Sequence, residues 1–202
     1  MRPIFMISLI LLISAVLVFA DSPLDGKKIV IVIAEENFRD EELFIPRKVL
    51  LDNGASVIIA STKLDEAKGM MGKSVKPDIL IESIIESDFD GIIFVGGIGA
   101  KDLWDNADAQ NIAKKFNSEK KPIGAICLAP VILAKAGILE HRPATVFKSA
   151  ADIIEENGAI YAEKPVMISN NIVTADGPES ADEFIRHYVG LLIPAPSIIP
   201  VD

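Results

Sequence analysis

The chain has 202 residues, half of them apolar and 24% charged, which suits one globular domain with a sizeable core rather than a disordered segment. Its 29 Asp and Glu outnumber 20 Lys and Arg, and a net charge of −9 argues against nucleic acid as a partner, which needs clustered cations. One cysteine excludes an internal disulfide, a CxxC redox pair and a thiolate zinc site; His141 and His187 stand alone, so neither a metal nor a cofactor is expected.

Residues 1–20 read apart from the fold. After Arg2, residues 4–20 are apolar except for Ser8 and Ser14, and they give way to the polar stretch DSPLDGKK. A basic start, an apolar run and Val18 and Ala20 near its end are expected of a secretory signal cleaved near Asp21. The run is slightly long for that and slightly short for a spanning helix, so an uncleaved membrane anchor is the alternative. Either places a single domain, 21–202 with its core at about 27–192, outside the cytoplasm.

From there strands alternate with helices. KKIVIVIA (27–34) is a continuous β-branched run, as a strand buried on both faces should be. DEELFIPRKVLLDNG follows with helical spacing and an Asn53-Gly54 stop, although Pro46 is tolerable only near a first turn. ASVIIAS (55–61) is a second strand, and residues 62–77, with Gly69, Gly72 and Pro77, predict a small hairpin. DGIIFVGG (90–97) is a third strand, 101–119 one broken or two short helices, KPIGAI (121–126) a fourth strand, and 129–136 a helix stopped by Gly137. ATVF, a helical SAADIIEENG, short strands around Met167 and in NNIVTA, and a last helix SADEFIRHYVGLLI complete the series; PAPSIIPVD is a proline-broken tail. This alternation predicts an α/β fold built of βαβ units, with a mostly parallel sheet between two helical layers.

In such a sheet ligands bind beyond the carboxyl ends of the strands. Three unusual segments fall there: the carboxylate-rich EENFRDEEL, GGIGA, and GAICLAP. In the last, Ala125 and Ala129 flank Cys127 two residues to each side, the small-x-nucleophile-x-small pattern of a tight strand-to-helix elbow. A thiol at a helix start is expected to have a lowered pKa. The alternative is a buried, inert cysteine between Ile126 and Leu128. VGGIGA does not fit a dinucleotide fingerprint, because Asp102 falls where the third glycine belongs. Gly96 and Gly97 either make a plain turn or bring backbone N–H groups into a site, with Gly97 and Leu128 as an oxyanion hole. Among the carboxylates, Glu42 is the candidate to turn inward and shuttle a proton, with a raised pKa. Glu35, Glu36, Asp40 and Glu41 are expected mostly to face water, and the alternative for Glu42 itself is a solvated helix start favoured by the dipole.

NFRDEELFIP, VGGIGAKDLW, GAICLAPVILAKAGIL and TADGPESADEF resemble, in that order, the motifs of the ThiJ/PfpI family of the class I glutamine amidotransferase-like superfamily, over about residues 27–192. The resemblance implies a flavodoxin-like three-layer α/β/α sandwich and a homodimer or larger homo-oligomer. It implies a cysteine nucleophile at Cys127, a partner glutamate at Glu42 and an oxyanion site at Gly97 and Leu128. Protease-type members carry a histidine directly after the cysteine, here Leu128; deglycase-type members supply one from a later segment, where this chain has Phe147. The family's usual glycine at 129 is alanine, and the basic residue before its late Gly-Pro is Asp176. Without histidine, amide hydrolysis lacks its general base and leaving-group acid. Chemistry on a small-molecule carbonyl, glyoxalase- or deglycase-like, needs only the thiol and the glutamate. A peptide-like substrate is the lesser expectation, and the alternative class is a non-catalytic redox-sensing, chaperone-like or ligand-binding module.

Overall fold

The computed structural model describes residues 22–193. In chain order the elements are β1 (Lys28–Val32), β2 (Glu36–Phe38), α1 (Asp40–Asp52), β3 (Ser56–Ser61), β4 (Ala67–Gly69), β5 (Ser74–Val75), β6 (Ile79–Leu80) and β7 (Gly91–Phe94). There follow α2 (Ala107–Ser118), β8 (Ile123–Ile126), α3 (Pro130–Lys135), β9 (Pro143–Ala144), α4 (Ala151–Glu156), β10 (Ile160–Tyr161), β11 (Val166–Ser169), β12 (Ile172–Ala175) and α5 (Ala181–Leu192).

Seven strands form the central sheet in the order β11-β12-β8-β7-β1-β3-β6. All its pairings are parallel except β11 with β12, so the sheet is mostly parallel, as the alternating pattern requires. Its middle strands are apolar on both faces because both are covered: α1 and α5 pack on one side, α2 and α3 on the other. The result is the flavodoxin-like α/β/α sandwich expected. The chain runs outward from β1 to β3 and β6, then returns to β7 on β1's other side. The order therefore reverses between β1 and β7, and in folds of this kind ligands bind beyond the carboxyl ends of the strands at such a reversal.

Several local expectations change. α1 runs through Pro46, seven residues in, rather than starting near it. The missing N–H leaves the Glu42 carbonyl without its helical donor, a cost met by burying Pro46 and Leu50. Residues 62–77 do contain the hairpin, β4 against β5, with β2 added as a third strand. ATVF is not a strand beyond Ala144, because the Phe147 N–H turns aside to donate to the Cys127 carbonyl at 2.9 Å. Among the described residues no helix is long and apolar enough to cross a membrane. The apolar run 4–20 and the tail from residue 194 lie outside them.

Candidate active site

β8 ends at Ile126, and the next residue makes the turn. Cys127 has φ +62°, a left-handed conformation that costs an L-residue about 1–2 kcal/mol. Three backbone hydrogen bonds hold it there. The Cys127 N–H donates to the Ala175 carbonyl (2.9 Å), the Phe147 N–H to the Cys127 carbonyl (2.9 Å), and the Ala129 N–H back to Ile126 (3.1 Å). The sole tryptophan closes the turn from outside, Trp104 Nε1 donating to the Leu128 carbonyl at 2.9 Å. α3 begins at Pro130, where a missing N–H costs nothing.

β7 delivers the glycine pair to the same point. A Cβ added at Gly96 would lie 2.6 Å from both the Cys127 Cβ and Glu42 Oε2, so the two side chains converge on a space only glycine leaves open. Gly97 has φ +88°, and a Cβ there would strike the backbone of Asn37 and Arg39. The Arg39 N–H donates to the Gly96 carbonyl at 3.1 Å, tying the turn to the segment that starts α1.

Glu42 enters from the first turn of α1 and is fully buried. Its Oε2 accepts the Gly96 N–H at 3.0 Å, whereas Oε1 has no partner of good hydrogen-bond geometry among the described residues. Burial pushes the Glu42 carboxyl up to about 8, against the pull of the Cys127 thiol, the Gly96 N–H and the Arg39 charge. Cys127, only 7% exposed, moves the same way. Burial first, then the Glu42 charge, pushes its thiol up to about 12, while the N–H groups of Gly97 and Leu128, directed at the sulfur, pull down. This corrects the expectation of a lowered thiol pKa. α3 is six residues long, and its dipole is outweighed by desolvation and a facing carboxylate.

All five expected site residues, Cys127, Glu42, Gly96, Gly97 and Leu128, thus come together. Phe147 stays close through its backbone, but its side chain is exposed. The thiol's surroundings supply a carboxyl and two backbone donors, and no histidine. Asp40 corrects another expectation: it is buried, 2% exposed, and its carboxylate accepts from the Met71 N–H (2.8 Å) and the Lys73 N–H (2.9 Å) of the β4–β5 turn. Trp104 is given no role by the sequence alone. Its place in the GAKDLW segment was the available signal, whereas nothing local distinguishes Asp40 from its acidic neighbours. Among the described residues no group of three His, Cys, Asp or Glu is placed to hold a metal.

Comparison with known proteins gives consistent matches. The DJ-1/PfpI family model matches residues 27–191. An uncharacterised protein of Methanocaldococcus jannaschii is 40% identical over 160 residues, 78% of each chain. A protein of Pyrococcus furiosus named deglycase PfpI is 32% identical over 163 residues, 81% of this chain and 98% of that one. The crystal structure of a ThiJ/PfpI domain protein from Brachyspira murdochii superposes with a TM-score of 0.80 at 35% identity, covering 83% of this chain and 98% of that one.

Proposed function

The chain belongs to the DJ-1/PfpI family, and from that premise we propose that it acts on reactive carbonyl compounds through Cys127 and Glu42 in a glyoxalase- or deglycase-like reaction, without a cofactor. The observation that carries this reading is the composition of the thiol's surroundings: a buried carboxyl with a raised pKa, two N–H donors, and Leu128 where a histidine would serve amide cleavage. An α-oxoaldehyde asks for nothing more. As the sulfur bonds to the aldehyde carbon, the thiol proton passes to the Glu42 carboxylate, and the developing oxyanion is held by the N–H groups of Gly97 and Leu128 and then protonated. Glu42, again ionised, removes the proton from that carbon, and the electron pair moves to the neighbouring carbonyl as an enediol. Reprotonation at the second carbon gives a thioester, which water cleaves to the 2-hydroxy acid and free thiol. The substrate's own carbons exchange oxidation levels, so no external oxidant or reductant enters. Relatives named deglycase support the reading.

The test is lactate formation from methylglyoxal by the full chain. Turnover is expected in the wild type and absent in Cys127→Ala, with Glu42→Gln reduced by about 10²-fold or more. Equal rates for wild type and Cys127→Ala would reject the enzyme. A second reading, a non-catalytic redox-sensing, chaperone-like or ligand-binding module, is favoured by the burial of the thiol. Slow alkylation of folded protein at all pH values, together with absent turnover, would select it.

In the same reading the protein works as a homodimer or larger homo-oligomer outside the cytoplasm, secreted or tethered through residues 4–20. Exposed Met70 and Met71 in the β4–β5 turn, and Ile98 just after the glycine pair, support assembly. Light scattering of the full chain tests the first point, and the mass of the mature N-terminus tests the second.

A further inference from the structure

At the opposite end of the sheet from Cys127, where β8 and β12 begin, lies a cleft of about 550 Å³. Its polar wall is Asn117, Ser118, Lys120, Arg142, Asn170 and Asn171, and Pro122 and Leu191 supply an apolar side. No carboxylate lines it, in a chain where acids outnumber bases 29 to 20. Among the described residues neither Lys120 nor Arg142 has an acidic partner, as is true of ten other Lys and Arg; what sets these two apart is that they share one acid-free cleft. Arg142 Nη1 donates to Asn117 Oδ1 at 3.3 Å, which leaves the other guanidinium N–H groups and the Asn117 Nδ2 unspent. Lys120 occupies the position just past α2 with φ +55°, its N–H donating to Asn117 O while Lys121 N–H donates to Phe116 O. Glycine is the residue favoured at such a helix end, yet this chain places a cation there. Complementing the carbonyl end of α2 accounts for one nearby cation, but not for a second cation and three amides around one acid-free cleft.

We propose that this cleft binds a phosphate-type oxyanion. Lys120 and Arg142 neutralise it, the Arg142 guanidinium meeting its oxygens in a fork, and the amides of Asn117 and Asn170 complete the donor set with the second N–H of Asn171 Nδ2, whose first donates to the Lys121 carbonyl at 2.9 Å. Pro122 and Leu191 receive the carbon skeleton when the phosphate is carried on a small organic group. Nothing here depends on the chemistry of Cys127.

Calorimetric titration of the full chain with inorganic phosphate and with phenyl phosphate, each at fixed ionic strength set by potassium chloride, tests the assignment. Saturable binding is expected. Tighter binding of phenyl phosphate identifies a phosphomonoester as the source, and equal affinity identifies the free anion. The double variant Lys120→Gly/Arg142→Gln is expected to lose about tenfold or more in affinity. Its melting temperature should not fall, because glycine relieves the left-handed position. A second measurement requires no variant: phosphate should shift the side-chain amide resonances of Asn170 and Asn171 in the wild type. No saturable binding of either anion, unchanged affinity in a folded double variant, or amide resonances that stay still under saturating phosphate would each overturn the proposal.

Discussion

Cys127 and Glu42 oppose each other's ionisation, and neither can be understood alone. With both protonated the pair is neutral, which suits a buried site. Removing one proton leaves a single negative charge that carboxyl and sulfur share, and removing the second is opposed by that charge. A stability consequence follows. The Glu42 carboxyl titrates at about 8 in the folded chain against 4.5 for a free glutamate, so between these pH values the folded state holds the extra proton. This contribution to stability is complete below pH 4.5 and is lost as pH rises through about 8. Urea unfolding should therefore show the wild type weakening between pH 5 and 8.5 by on the order of 2–4 kcal/mol. Glu42→Gln should flatten that slope and be the more stable protein at the alkaline end. A Gln variant with the wild-type slope would mean that the burial of this carboxyl is not what the pH profile reports.

At the scale of elements, the site is assembled by close backbone approach. A Cβ at Gly99 would lie 1.9 Å from the Glu36 carbonyl oxygen, so Gly99→Ala must push β2 away from the glycine turn. A loss of about 1–3 kcal/mol in stability is expected, along with slower Cys127 chemistry, because Arg39 and the start of α1 move with β2. Asp40 ties the β4–β5 turn to the start of α1 through two backbone N–H groups. Asp40→Ala should cost about 1–3 kcal/mol and speed hydrogen exchange at Met71 and Lys73 while leaving the β8 amides protected. These dependencies mark the limit of what the sequence discloses. β1, β3 and β7 were legible as apolar runs rich in Ile and Val, β8 as the short KPIGAI stretch ahead of the elbow, and the elbow because alanines flank Cys127. Asp40 was not, because its burial depends on a hairpin about thirty residues further on that leaves no room for a side chain at Gly69. The direction of the thiol's shift was equally hidden: a helix start can be read locally, but burial and the facing Glu42 arrive through tertiary structure. Pro46 misled because a local rule for helices was overridden by packing on its buried side.

For the whole molecule, topology explains why three distant segments meet. The strand order reverses beside β1, so the segments leaving β1, β7 and β8 converge at one end of the sheet, bringing Glu42, the glycine pair and Cys127 together. The oxyanion cleft lies at the other end of the same strands, where β8 and β12 begin, so the two sites can be altered independently. Variants at Lys120 and Arg142 should leave methylglyoxal turnover unchanged. If Cys127 and Glu42 work as one proton-sharing unit, the pH dependence of Cys127 alkylation by iodoacetamide in the folded chain will report it. The wild-type rate should rise through about pH 8, as the pair gives up its first proton, and then level off. In Glu42→Gln that step should vanish, leaving a single rise set by the thiol alone. Identical profiles in the two proteins would show that the thiol ionises without regard to Glu42.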